Sequence, residues 1–204
     1  MVAWIVTAFG VTAALSAQSP RLEARVPAPV LAAVRATLDS ARAEGLPTGP
    51  LEEKVLEGVT KQADPERIAT AVRRLASELT SARAALGDRA TVRELVAGAG
   101  ALRVGLTEGD LVHVRAARSG RDPAVALEVA TDLITQGVPS DTATRVVLSV
   151  LDAGASDADL EQLRLAVARD VAGGVPATVA ASVRARALGT PPEAPVPVIP
   201  RPPP

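Results

Sequence analysis

The chain has 204 residues, 22 basic and 23 acidic side chains, a net charge of −1 and no Cys. That composition excludes disulfides, thiol chemistry, Cys–metal sites and a lipid anchor on cysteine, and it gives no electrostatic footprint for nucleic acid or acidic lipid. Hydrophobic residues make up 48% and charged residues 22%, the balance of a globular chain in which roughly 160 residues form about one ordinary domain.

Residues 1–17 (MVAWIVTAFGVTAALSA) carry no charge and hold the only Trp (Trp4), the only Phe (Phe9) and the only Met. An apolar core followed by small residues reads as a secretory signal cleaved near Gln18. The alternatives are an uncleaved anchor and a buried first helix. The segment departs from the usual signal in lacking Lys or Arg at its start, and it is shorter than the roughly 20 residues of a membrane span. Residues 18–26 read as a linker.

From about Pro27 to Gly189 one pattern recurs. An apolar-periodic stretch ends at Gly, a branched or small apolar residue follows, and then Pro, Ser, Thr or Asp. The stops are Gly45, Gly105, Gly120, Gly137, Gly154, Gly174 and Gly189. Each suits the left-handed position that ends a helix, and Leu46, Leu106, Val138, Ala155 and Val175 are placed to pack back on the last turn. Asp64-Pro65 and Asp122-Pro123 read as helix starts, as do Thr107 with Asp110 and Ser156 with Asp159.

Between stops the apolar period is helical. Val30, Leu31, Val34, Leu38 and Ala41 share one stripe; so do Ile68, Ala71, Val72, Leu75, Leu79 and Ala82; so do Leu160, Leu163, Val167 and Val171. The pattern predicts an all-α fold of about nine helices of about 10–18 residues, stacked as tandem antiparallel helix pairs in a repeat-like helical array. Residues 45–79 align without a gap onto 137–171, matching Gly45, Pro47, Val55, Leu56, Ala63 and Ala76 with Gly137, Pro139, Val147, Leu148, Ala155 and Ala168. A helix pair of about 35 residues cannot bury its apolar face alone, so stacking is expected.

The stretch Gly45 to Leu75 (GLPTGPLEEKVLEGVTKQADPERIATAVRRL) resembles exported bacterial proteins of unassigned function built from tandem helix pairs. The likeness is to a pattern, G-[LV]-P, then K-V-x-E-G, then I-x-x-A-V. It implies fold and export, and no activity. The unit length is also similar to that of tetratricopeptide units, but their Trp, Tyr and Phe positions are missing here. Only Lys54 and Lys61 among the basic residues are Lys, and with abundant Ala, Gly and Pro this is the composition of a GC-rich bacterial genome.

Few residues invite chemistry. His113 is the only imidazole, without a companion Cys or His, and reads as a partly exposed helix residue. Asp157, Asp159 and Glu161 lack the longer run of oxygen ligands of a calcium loop and read as a helix N-terminus; Glu52 and Glu53 read the same way. Gly98, Gly100, Gly105 and Gly109 lack the strand and Lys of a phosphate loop and read as close helix contacts, a kink or a stop. Arg73, Arg74, Arg115, Arg118, Arg121, Arg184 and Arg186 read as solvated helix faces with local ion pairs, since acidic neighbours dilute them and no Trp, Tyr or Phe lies outside residues 1–17 to stack a base. Residues 190–204 hold eight Pro and two P-x-x-P spacings, and read as an extended, disordered tail.

The resulting expectation is a non-enzymatic scaffold or protein-interaction module, exported to the periplasm or beyond, with no catalytic, cofactor-binding or metal-binding residues and no cofactor. A protein partner is expected, nucleic acid is not, and no stable membrane insertion follows removal of the leader. The alternative is a carrier of a small molecule or lipid in an aliphatic pocket between helices.

Overall fold

The computed structural model describes Leu22 and residues 24–189. Residues 1–17, read above as a leader, and the Pro-rich residues 190–204 lie outside the described residues, as do most of residues 18–26. Among the described residues there are nine helices and no strand: α1 (Ala28–Ala43), α2 (Gly49–Thr60), α3 (Pro65–Leu86), α4 (Val92–Arg103), α5 (Glu108–Ala117), α6 (Ala124–Thr135), α7 (Ser140–Asp152), α8 (Asp157–Ala172) and α9 (Ala177–Gly189). The fold is an all-α array of tandem antiparallel helix pairs.

The helix starts divide into two chemical kinds. Proline stands at or beside the first turn of α1, α2, α3, α6, α7 and α9, where its fixed φ fits and its missing N–H is no loss. The other three starts are capping boxes: Thr91 with Glu94 at α4, Thr107 with Asp110 at α5 and Ser156 with Asp159 at α8. In each, the hydroxyl accepts from the third helical N–H and the carboxylate accepts from the cap N–H. The stops are mostly Schellman turns. At Gly137 (φ 99°) the Gly N–H donates to Ile134 O at 2.9 Å and the Val138 N–H to Leu133 O at 3.0 Å. The same bond pair closes the turns at Gly45, Gly105, Gly154 and Gly174. Leu46, Leu106, Val138 and Ala155 are buried against the turn they follow. Val175 is the exception: it stays 38% exposed and does not pack back as the sequence pattern suggests.

By Cα packing the chain divides into two compact units, the first ending at Arg73 and the second beginning at Arg74, inside α3. In the first unit, Val30, Val34, Leu38 and Ala41 of α1, Leu51 and Val55 of α2, and Ile68 and Val72 of α3 are buried. Helices α2 and α3 approach closely at Gly58, where a Cβ would lie 2.6 Å from Ile68 Cγ1. The stripe on α3 is the expected one, with Ile68, Val72, Leu75, Leu79 and Ala82 buried, except at one position. Ala71 is exposed and Ala69 buried, and at 22 residues α3 outruns the expected helix length.

In the second unit each helix packs on the next but one: α4 on α6 and α6 on α8, α5 on α7 and α7 on α9. The two layers are joined by α5–α6, α6–α7 and α8–α9 contacts. Helix α6 is the central member. Ala124, Val125, Ala126, Leu127, Val129, Ala130 and Leu133 are all buried, so it is apolar nearly all round, as a helix covered on every side must be. Its three alanines let neighbours approach while Leu111, Leu127, Leu133, Leu160 and Leu163 fill the space between. Each such Leu contributes about 1.5–3 kcal/mol on burial, and no aromatic ring takes part anywhere among the described residues.

The internal repeat has a structural counterpart. Helix α3 starts at Pro65 and α8 at Asp157, residues that the alignment pairs. Gly45 and Gly137 both have positive φ, and Val55 and Val147 are both fully buried.

Candidate functional site

The residues with chemical potential do not converge. His113 lies on the exposed face of α5, between buried Leu111 and Val114. Asp157, Asp159 and Glu161 turn to three different partners: Arg118, the Ser156 cap and Arg164. The Ser156 hydroxyl and amide hold the Asp159 carboxyl below its usual range, as expected for a cap. Glu52 stands in the first turn of α2, with Glu53 exposed beside it. Among the described residues no three His, Cys, Asp or Glu are grouped to hold a metal ion, and no helix is long and apolar enough to cross a membrane. Gly98 is a close contact, its Cβ position 3.0 Å from both Ala82 Cβ and Leu86 Cδ1, whereas Gly100 faces open space.

Arg118 corrects the reading of a solvated basic strip. Its side chain is only 2% exposed. It pairs with Asp157 at the start of α8 and donates to the Asp122 carbonyl from Nε at 3.2 Å and Nη2 at 3.0 Å. Nη1 is buried without a partner. The guanidinium thus fastens the α5–α6 turn to the start of α8, and its role is structural. Arg184 is also engaged, donating to both Asp170 oxygens at 2.7 Å, which holds the Asp170 carboxyl below its usual range. Arg74 and Arg103 both pair with Glu78, and Arg73 donates to the Thr70 hydroxyl.

What remains as a candidate site is a set of open grooves between helices. In the first unit, a groove of about 440 Å³ runs between α2 and α3, lined by Lys54, Lys61, Gln62 and Arg67 with Glu57 and Asp64. Both lysines of the chain donate to Glu57 at 2.5 Å. Their hydrogen bonds, reinforced by their charges, lower the Glu57 pKa to about 2.

In the second unit, a groove of about 360 Å³ crosses α4, α6 and α8. Its floor is Val96, Ala97 and Gly100, and its walls carry Glu128, Asp132, Glu161 and Arg164. Arg164 bridges Asp132 at 3.1 Å and Glu161 at 2.6 Å, and Arg93 reaches Glu128 and Asp122 at 3.4 Å. The hydrogen bonds that Arg164 donates to Glu161 and Asp132 raise its pKa. The acids here are already balanced by neighbouring cations.

A wider groove of about 620 Å³ lies between α7 and α9 of the same unit. Val146 and Ala185 form its buried floor; Arg145, Arg186, Thr142, Ser149 and Ser182 line it, and among the described residues no carboxylate does. The helical period puts Thr142, Arg145 and Ser149 on one face of α7, and Ser182, Ala185 and Arg186 on one face of α9. That periodicity is present in the sequence. The facing of α7 with α9 follows from next-but-one packing, which no local pattern announces.

Neither family models, nor curated proteins, nor solved structures give a match to this chain.

Proposed function

We propose that this chain is a non-enzymatic interaction module of the bacterial envelope, exported by its N-terminal segment, whose helical array offers grooves to a protein partner. The observation that carries the reading is the set of open grooves between neighbouring helices, lined by charged and hydroxyl side chains over a closed aliphatic core. The scattering of His113 and the acidic residues among separate structural partners favours binding over catalysis.

The carrier alternative draws less support. An acyl chain or small apolar ligand needs an enclosed cavity of several hundred Å³. The recess beside α1, lined by Leu22, Leu31, Val34 and Leu38 together with Arg35, Asp39, Arg42 and Glu52, has about 10 Å³, about what a single water needs. The wide grooves instead open to solvent and mix polar with apolar lining, as protein-binding surfaces do.

The test is cross-linking of the tagged chain in the envelope of its own source, with mass spectrometry of proteins and extracted lipids. A stoichiometric protein cross-linked through α2–α3, α4–α6–α8 or α7–α9 residues is the expected result. Co-purified lipid without protein would establish the carrier instead. The same sample tests export: a new N-terminus near Gln18 is expected, and an intact Met1 on the mature chain would overturn cleavage.

A further inference from the structure

We infer that residues 190–204 of the chain itself cover the outer face of α9 and close that end of the array. Helix α9 is the last of the described helices and packs on α7 and α8. It buries Ala180, Ala181 and Ala185 against them. In a stacked array, the face of the last helix that is turned away from its neighbours must be polar or be covered. On α9 that face carries Val179 and Val183, one turn apart and 50% and 53% exposed. Val175, four positions earlier, and Ala187, four positions later, are exposed as well. Arg184 turns instead to Asp170 on α8.

The length and content of the following segment fit this stripe. The chain leaves α9 at Gly189, at one end of the valines, and residues 190–204 bring eight prolines with Val196, Val198 and Ile199. In the extended conformation that proline favours, three residues make a turn, so Val196 and Ile199 share one edge about 9 Å apart. A reversal takes about four residues, here Thr190, Pro191, Pro192 and Glu193. Val196 then lies about 9 Å back along α9, level with Val183. Ile199 falls level with the interval between Val179 and Val175. Proline fixes φ beforehand, so docking orders little. The tether supplies an effective concentration of about mM, and a small apolar contact is then enough. A second copy is the poorer occupant: three partly exposed valines fall far short of the ~800 Å² per partner of a stable interface.

The experiment is paramagnetic relaxation in the full chain labelled with ¹⁵N. The chain has no Cys, so a single introduced thiol places one nitroxide, at Ala194→Cys or at Arg201→Cys. The label at 194 should remove amide signal from the last turn of α9, around Arg184 to Leu188. The label at 201 should remove signal from Val175 to Val179 and spare the last turn. Loss that is greatest at Gly189 and fades along α9 with both labels is the pattern of an undocked tether, and it would overturn the inference. Val179→Thr/Val183→Thr and Val196→Ser/Ile199→Ser should each convert the profile of the 201 label into that fading one. Val92→Thr/Val96→Thr, on α4 with similar exposure, should leave it unchanged. Circular dichroism at 222 nm checks that the variants fold. A profile that survives both docking variants, or that changes equally in the α4 control, would refute the contact. In a mixture of nitroxide chain without ¹⁵N and ¹⁵N chain without nitroxide, no loss is expected; loss at Val175 to Val183 would give the face to a second copy and overturn the assignment.

Discussion

At the scale of single residues, the deepest commitment is one buried guanidinium. Arg118 is held by Asp157 and by the Asp122 carbonyl, and the two ends of the ion pair are unequally placed: Asp157 is half exposed, Arg118 is not. Removing the carboxylate leaves a buried cation short of its counter-charge, whereas removing the cation leaves a carboxylate that water can reach. Asp157→Ala should therefore cost about 3–5 kcal/mol. Arg118→Met should cost less, and the double variant should recover much of the Asp157→Ala loss; urea unfolding of the three proteins decides it, and simple additivity would refute the pairing. Glu57 provides a pH-dependent case. Its pKa is lowered to about 2 by Lys54 and Lys61, so the contribution of this cluster to stability is present above the ordinary carboxylate range and is lost as pH falls from about 4.5 toward 2. A carboxyl-carbon titration should show the low midpoint, rising toward the usual range in Lys54→Met/Lys61→Met. The sequence reading does not single out Glu57 with Lys54 and Lys61, and it takes Arg118 as solvated. A helix face carrying an Arg among Ala and Val gives no sign of which neighbour covers it, and Asp157 lies 39 positions away.

At the scale of elements, boundaries were legible because they are set by local chemistry. Thr107 with Asp110, Ser156 with Asp159, and the Gly stops act within a few residues of themselves, so the chain states them directly. The exceptions are equally local. The stop after α2 is Gln62 at φ 53°, a left-handed residue with a side chain, bonded in the same way as the Gly turns. Gln62→Gly should stabilise by about 1 kcal/mol, and Gly137→Ala should destabilise by a similar amount; thermal melts that rank the two otherwise would show that side-chain contacts govern these turns. Glycines inside α4 separate packing from propensity. Gly98→Ala should destabilise by about 1–3 kcal/mol, since Ala82, Leu86 and Leu111 close around it. Gly100→Ala, facing open space, should stabilise by up to about 1 kcal/mol. Two positions apart in sequence, they read alike; only the neighbouring helices distinguish them.

At the scale of the whole molecule, the fold class and its helical repeat came from period and punctuation, while the pairing of helices did not. Stripes on α1, α3 and α8 say that a face is buried without saying against what, and so the grooves, which exist only where two particular helices meet, were not readable. The observed pairing in the second unit is local: each helix meets its successor or the helix after that. Loop closure is then cheap at every step, and folding should finish in microseconds to milliseconds, measured by stopped-flow circular dichroism at 222 nm; a phase of seconds would contradict it. The ringless core has a consequence for how this protein will look in solution. With no ring in the core, its methyl resonances lack the large ring-current shifts of most packed proteins, and without Trp, Tyr or Phe among the described residues the near-ultraviolet spectrum of that body is nearly empty. By those two criteria a fully packed native state would be taken for a molten globule. Protection of the α6 amides against hydrogen exchange is the signal that tells them apart.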